Sequence, residues 1–168
     1  TIPQDDGHDV FEVESAGDTI IVRGSNGVAI TSGVNWYLKY ICRCHLSFNG
    51  DQLDVPRPLP TVTEKVRCVS PYQYRYCFNF CAFSYTLAWW DWEQWQRMID
   101  WMALHGINMP LAVTGQEAVW QNVYRKMGIT DEQLADFFVG PGFLPFGWMG
   151  CLDGWGGPLS QNWIDSHA

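Results

Sequence analysis

Apolar and polar positions alternate with a period of two near the start of the chain. Phe11 and Val13 are set off by acidic neighbours up to Ala16-Gly17-Asp18, and Thr19-Ile20-Ile21-Val22-Arg23 then runs into Gly24-Ser25-Asn26-Gly27. Period two is the mark of a strand and glycine-bearing breaks are turns, so a β-hairpin is predicted. Val28-Ala29-Ile30 leads to Ser32, the predicted N-cap of a helix on which Trp36, Tyr37, Tyr40 and Ile41 recur at helical spacing. Three prolines in Pro56-Arg57-Pro58-Leu59-Pro60 exclude helix and central strand and predict a stiff linker. The linker closes a small β-hairpin and helix domain over residues 1–60, and a second domain follows over 61–168.

Beyond Val66 the pattern changes. Tyr74-Arg75-Tyr76-Cys77-Phe78-Asn79-Phe80 is nearly continuous in aromatic and apolar character, as expected of a parallel-sheet strand covered on both faces. Asp91 and Gln94 form a predicted capping box. Trp92, Trp95, Ile99 and Met102 then step along one helix face, with Glu93, Arg97 and Asp100 opposite. Gly106, after His105, stops this helix over about 92–105, and His105 reads as a cation at its C-terminal end. Ile107 to Val113 predicts a second short strand. Thr114-Gly115-Gln116-Glu117 reads as another capping box, opening a helix with Val119, Val123, Tyr124 and Met127 inward; Thr130 to Gln133 repeats the signature before Leu134, Phe137 and Phe138. Strand, helix, strand, helix is the order of βαβ units in a doubly wound sheet or a (β/α)8 barrel, and a barrel needs eight strands and about 250 residues.

In either architecture ligands gather at the C-terminal ends of the strands, here Asn79 to Tyr85 and Val113 to Glu117. A third candidate is the glycine- and proline-dense run from Gly140 to Leu159. It excludes regular structure, yet carries aromatics that must pack, as a pocket wall or as a lid over core. Glu117 is the acid best placed at a strand end, but the Thr114 capping box accounts for it. His8, His45, His105 and His167 share no short motif. No phosphate-binding glycine fingerprint and no nucleophile elbow occurs.

Composition narrows the choice. With 47% hydrophobic and 17% charged residues, the 168-residue chain can bury a core. Its net charge of −8 opposes binding to nucleic acid or anionic lipid, and no apolar run has the length of a membrane-spanning helix. Ten tryptophans suit either an aromatic core or stacking on sugar rings. The six cysteines, Cys42, Cys44, Cys68, Cys77, Cys81 and Cys151, lack the spacings of a zinc site and read as buried free thiols, so neither metal nor cofactor is expected. The abrupt start without methionine and the abrupt end at Ala168 suggest an excised segment of a longer product.

The run Tyr85-Thr86-Leu87-Ala88-Trp89-Trp90-Asp91-Trp92-Glu93-Gln94-Trp95 resembles the α-N-acetylglucosaminidase family. So do Ile99 to Ala112 and Thr114-Gly115-Gln116-Glu117-Ala118-Val119-Trp120, and the likeness extends from Tyr74 to Leu159. The hairpin and helix before the linker are similar to that family's small N-terminal domain. The resemblance implies an α/β fold: that small domain, then the first βα units of an incomplete (β/α)8 TIM-like barrel. It implies a retaining exo-glycosidase that removes terminal α-linked N-acetylglucosamine from heparan sulfate-type or host glycans, at a secreted, periplasmic or lysosomal address. The family's two catalytic glutamates lie in later motifs, so no catalytic residue is assigned within the chain. The remainder of the catalytic domain becomes its partner.

One side of the sugar pocket carries over. Asn79, Cys81 and Tyr85 match the family's Asn-x-Cys-x-x-x-Tyr run, and Phe146 stands where the family usually has tryptophan. An Asn amide can donate to and accept from sugar hydroxyls or the acetamide, a Tyr offers a ring face and a hydroxyl, and a small Cys admits close approach. Phe146 keeps the stacking but not the hydrogen bond, while Trp148 and Cys151 replace more typical polar residues; these departures bear on fine substrate preference. The competing reading is a non-catalytic, aromatic-rich carbohydrate-binding module.

Overall fold

The computed structural model describes residues 1–168, which form two compact units. The first comprises Thr1–Cys77 with Trp92–Pro110, and the second Phe78–Asp91 with Leu111–Ala168.

The predicted hairpin is present. Strand β1 (Val10–Ala16) pairs antiparallel with β2 (Thr19–Gly24), and Val13 sits opposite Val22. Helix α1 (Gly27–Tyr40) covers the sheet. It begins nearly two turns earlier than expected, because Asn26, rather than Ser32, caps it by accepting from the Ala29 N–H at 2.9 Å. Ser32 lies inside the helix and donates to the Val28 carbonyl. A Cβ on Gly33 would lie 2.7 Å from Val22 Cγ1, so the helix needs glycine there to approach the sheet this closely. Val13, Tyr37, Cys42, Cys44 and Val62 form the core, and the Tyr37 hydroxyl donates to the Pro60 carbonyl at 2.7 Å.

A small hairpin follows, β3 (His45–Ser47) against β4 (Gly50–Gln52). Strand β5 (Val66–Val69) then returns to pair with the free side of β1, giving a three-stranded sheet in the order β2-β1-β5. The long buried strand expected over Tyr74–Phe80 shrinks to β6 (Tyr76–Cys77), with Tyr74 and Tyr76 exposed. Helix α2 (Trp92–Leu104) is formed as predicted, but its buried residues are Met98 and Met102. Trp92 and Ile99, expected inward, are exposed, and Arg97 pairs with Asp51 at 2.6 Å. His105 follows its last turn and stacks on Trp101. The second strand is only β7 (Met109–Pro110), which pairs with β6 in the expected parallel sense; no closed barrel forms.

Arg75 locks this crossover. Its Nε donates to the Gly106 carbonyl at 2.6 Å, Nη1 reaches the Tyr72 and Gln73 carbonyls, and Nη2 pairs with the buried Asp9 carboxylate at 2.5 Å. Gln4 and Asn26 also donate to Asp9. Burial pushes the Asp9 carboxyl upward, but these hydrogen bonds and the Arg75 charge outweigh it and hold it below its ordinary range.

In the second unit, a 3-10 segment (Phe80–Ser84) precedes α3 (Gln116–Lys126) and α4 (Asp131–Phe137). Thr130 and Gln133 make the predicted capping box of α4. The Gly140–Leu159 run packs as expected, but it is not devoid of regular structure: a 3-10 turn at Pro141–Phe143 leads into α5 (Leu144–Trp148), with proline in its first turn. A final helix, α6 (Gln161–Ser166), is capped by Ser160. Leu134, Phe138, Val139, Leu144, Leu159 and Ile164 form this unit's core. All six cysteines are free, but only Cys42 and Cys44 are buried as expected; Cys77 is half-buried, and Cys68, Cys81 and Cys151 are exposed. No helix is long and apolar enough to cross a membrane.

Candidate functional site

The four residues singled out by sequence all fall in the second unit. Three share one short stretch. Phe78 enters it with φ of 78°, a left-handed conformation that costs a bulky side chain about 1–3 kcal/mol and that clusters at functional positions. Its ring rests edge-on against Phe83, which is buried. Asn79 then caps the 3-10 segment, its side-chain oxygen accepting from the Ala82 N–H at 3.1 Å. That bond uses the amide oxygen and not the amide N–H groups. Cys81 and Tyr85 are exposed, Tyr85 at 69%. Phe146 is half-buried on α5. The two elements meet through Trp148, whose ring lies 5.8 Å from Phe83 and 6.5 Å from Phe80, both edge-on.

Helix α3 departs furthest from expectation. Val119, Val123 and Met127, predicted inward, are exposed at 60%, 47% and 70%. Its buried residues are instead the polar pair Glu117 and Gln121, one turn apart. Gln121 is satisfied by reciprocal amide bonds with Gln161 at 2.8 and 3.1 Å. Glu117 accepts a hydrogen bond from the Trp148 indole N–H. The capping box predicted to account for Glu117 is absent: the N-cap is Gly115, and no side chain caps the helix. Gly115 has φ of 86°, and a Cβ there would overlap the His167 carbonyl, so both conformation and space require glycine.

Burial raises the Glu117 carboxyl above its ordinary range, with the Trp148 hydrogen bond, its own backbone N–H and the His167 charge offsetting part of that rise. A cavity of about 20 Å³ adjoins it, lined by Phe83, Leu87, Thr114, Leu144, Trp163 and His167 among others. That volume holds little more than one water molecule and no sugar. Glu117 is the one carboxylate among the residues lining it. A sequence signal for its burial exists: Glu117 and Gln121 stand at i and i+4, in a chain rich in tryptophan N–H donors.

Residues 75–168 match the family described as the alpha-N-acetylglucosaminidase (NAGLU) tim-barrel domain, and residues 1–61 match the one described as its N-terminal domain. The chain belongs to the α-N-acetylglucosaminidase family. The human α-N-acetylglucosaminidase is 48% identical over 158 residues, which are 94% of this chain and 21% of the human protein. A family 89 glycoside hydrolase from Clostridium perfringens, solved in complex with PUGNAc, superposes with a TM-score of 0.95 at 38% identity over 99% of this chain and 19% of its own. The same hydrolase, with two glutamates changed to glutamine, has been solved with its substrate GlcNAc-alpha-1,4-galactose at the same score and coverage. The chain thus spans about a fifth of the length of these family members.

Proposed function

We propose that the protein carrying this chain is a retaining exo-α-N-acetylglucosaminidase, acting on terminal α-linked N-acetylglucosamine in heparan sulfate-type or host glycans. Residues 1–60 form its small N-terminal domain and residues 61–168 open its (β/α)8 barrel. The observation that carries this reading is the family membership over both segments. The Asn79, Cys81 and Tyr85 stretch supports it, with its strained entry at Phe78 and exposed side chains. In this reading those three residues and Phe146 contact the sugar: Asn79 donates to a hydroxyl or acetamide oxygen, Tyr85 offers ring and hydroxyl, and Phe146 stacks on the pyranose face.

Retaining hydrolysis needs two carboxyl groups about 5 Å apart, one as nucleophile and one as acid and then base. The chain's two buried carboxylates, Asp9 and Glu117, are each occupied, by Arg75 and by Trp148, and they lie in different units. The family resemblance puts both catalytic glutamates in later motifs, so in this reading the pair comes from the remainder of the catalytic domain, which is this segment's partner. The compartment follows the substrate: lysosomal, periplasmic or extracellular.

The test is hydrolysis of an aryl α-N-acetylglucosaminide. The full-length protein is expected to release N-acetylglucosamine, and residues 1–168 alone are not. Asn79→Ala or Tyr85→Ala should raise KM by about tenfold, the value of one or two lost polar contacts. Activity in the 168-residue piece would overturn the assignment of the catalytic pair. An inactive full-length protein that still binds N-acetylglucosamine would favour the carbohydrate-binding module instead.

A further inference from the structure

We infer that Glu117 is a positioning residue for the sugar-contacting stretch, acting through Trp148; this rests on the α-N-acetylglucosaminidase reading. Glu117 is 3% exposed and is held in the first turn of α3, where a negative charge is favoured by the helix N-terminus. A carboxylate buried this deeply persists only with compensating donors. Its side-chain donor is the indole N–H of Trp148, beside its own backbone N–H. That bond fixes the rotation of a ring whose edges meet Phe80 and Phe83. Those two phenylalanines flank Cys81 and follow Asn79 closely, so the 3-10 segment is braced from below by one indole and, beneath the indole, by one carboxylate.

The same indole ends the short helix that carries Phe146 two residues earlier. Both sides of the proposed sugar contact, the 79–85 stretch and Phe146, therefore take their positions from the residue that Glu117 holds. The adjoining space is too small for a sugar and has no second acid, so Glu117 itself does not touch substrate. Its acceptor oxygen is what matters, rather than its charge.

This predicts an unusual pattern of variants in the full-length enzyme. Trp148→Phe keeps the ring and removes the N–H; KM for an aryl α-N-acetylglucosaminide should rise about tenfold, with kcat falling less than KM rises. Glu117→Gln keeps an acceptor oxygen and should hold KM within about threefold of wild type, whereas Glu117→Ala should match or exceed the Trp148→Phe defect. The dissociation constant of N-acetylglucosamine, measured by calorimetry, should follow KM across the series. A merely structural carboxylate would lower the melting temperature without moving KM or that dissociation constant at a temperature where all variants are folded. Unchanged KM in Trp148→Phe overturns the inference, as does a Glu117→Gln enzyme as impaired as Glu117→Ala. Should Glu117→Ala fail to fold, the Trp148→Phe and Glu117→Gln pair decides alone. Wild-type protein with neither hydrolysis nor sugar binding would reject the enzymatic reading itself, a separate result.

Discussion

Arg75 offers the sharpest test of what holds the first unit together. Its guanidinium is 16% exposed and the Asp9 carboxylate 7%, so the pair sits largely out of water. Removing one partner of such a pair leaves a desolvated charge and costs about 3–5 kcal/mol. Arg75→Met keeps the aliphatic stem while deleting every donor, including those to the Gly106, Tyr72 and Gln73 carbonyls. Gln4 and Asn26 still donate to Asp9 and offset a part of the loss, so about 3 kcal/mol is expected.

The assay is amide hydrogen exchange on the full-length protein, resolved by peptide. The amides of Val10, Ser70, Arg75, Asn108 and Met109, all bonded within or beside this lock, should exchange about 10²-fold faster. Adding Asp9→Asn removes the stranded charge and should restore part of that protection, although Asp9→Asn alone destabilises. Exchange within about threefold of wild type in Arg75→Met would refute the reasoning, as would strictly additive effects in the double variant. The pH profile carries a matching sign. Because the Asp9 carboxyl is held low in the folded state, its contribution is present above the ordinary carboxylate range and is lost as pH falls through the depressed value.

Two further outcomes are specific. Tyr37→Phe deletes the bond to the Pro60 carbonyl and should cost about 1 kcal/mol, read as a lower denaturant midpoint; since burial raises the Tyr37 hydroxyl to about 12, wild-type stability should also fall as pH rises from 10 toward 12, and this alkaline loss should be smaller in the variant. Gly115→Ala combines a left-handed residue with a Cβ that overlaps the His167 carbonyl, so it should cost more than the roughly 1 kcal/mol of conformation alone and should loosen α6, seen as faster exchange at Trp163 and Ile164.

The hairpin, α1, α2 and the α4 capping box are legible in the sequence because each depends on local chemistry: alternation, turn glycines, helical spacing and caps. Their burial is less legible. Periodicity marks which residues form one face, but not what covers that face, so Trp92, Ile99, Val119 and Met127 are expected inward and lie exposed. On α3 the inward face is polar because each polar group finds a partner across space, Trp148 for Glu117 and Gln161 for Gln121; such pairing is invisible to a one-dimensional pattern. The shortness of β6 and β7 is a second case, since strong strand propensity in Tyr74 to Phe80 yields to the turn that Phe78 makes. The Asn79 to Tyr85 run stands out because its residue types repeat a family pattern, whereas Glu117 hides behind a plausible local role.

The interleaving of the two units bears on how the chain is made. Residues 78–91, with Asn79, Cys81 and Tyr85 among them, leave the ribosome before either body that flanks them can close, because the first unit still lacks Trp92–Pro110 and the second lacks everything from Leu111 onward. At about 5–20 residues per second, the stretch from Trp92 to Ala168 takes several seconds to emerge. Through that interval Phe80, Phe83 and Trp89 lack Trp148 and Trp163, the later rings they pack against, so this short aromatic run is where a chaperone that shields apolar surface has much to protect during synthesis.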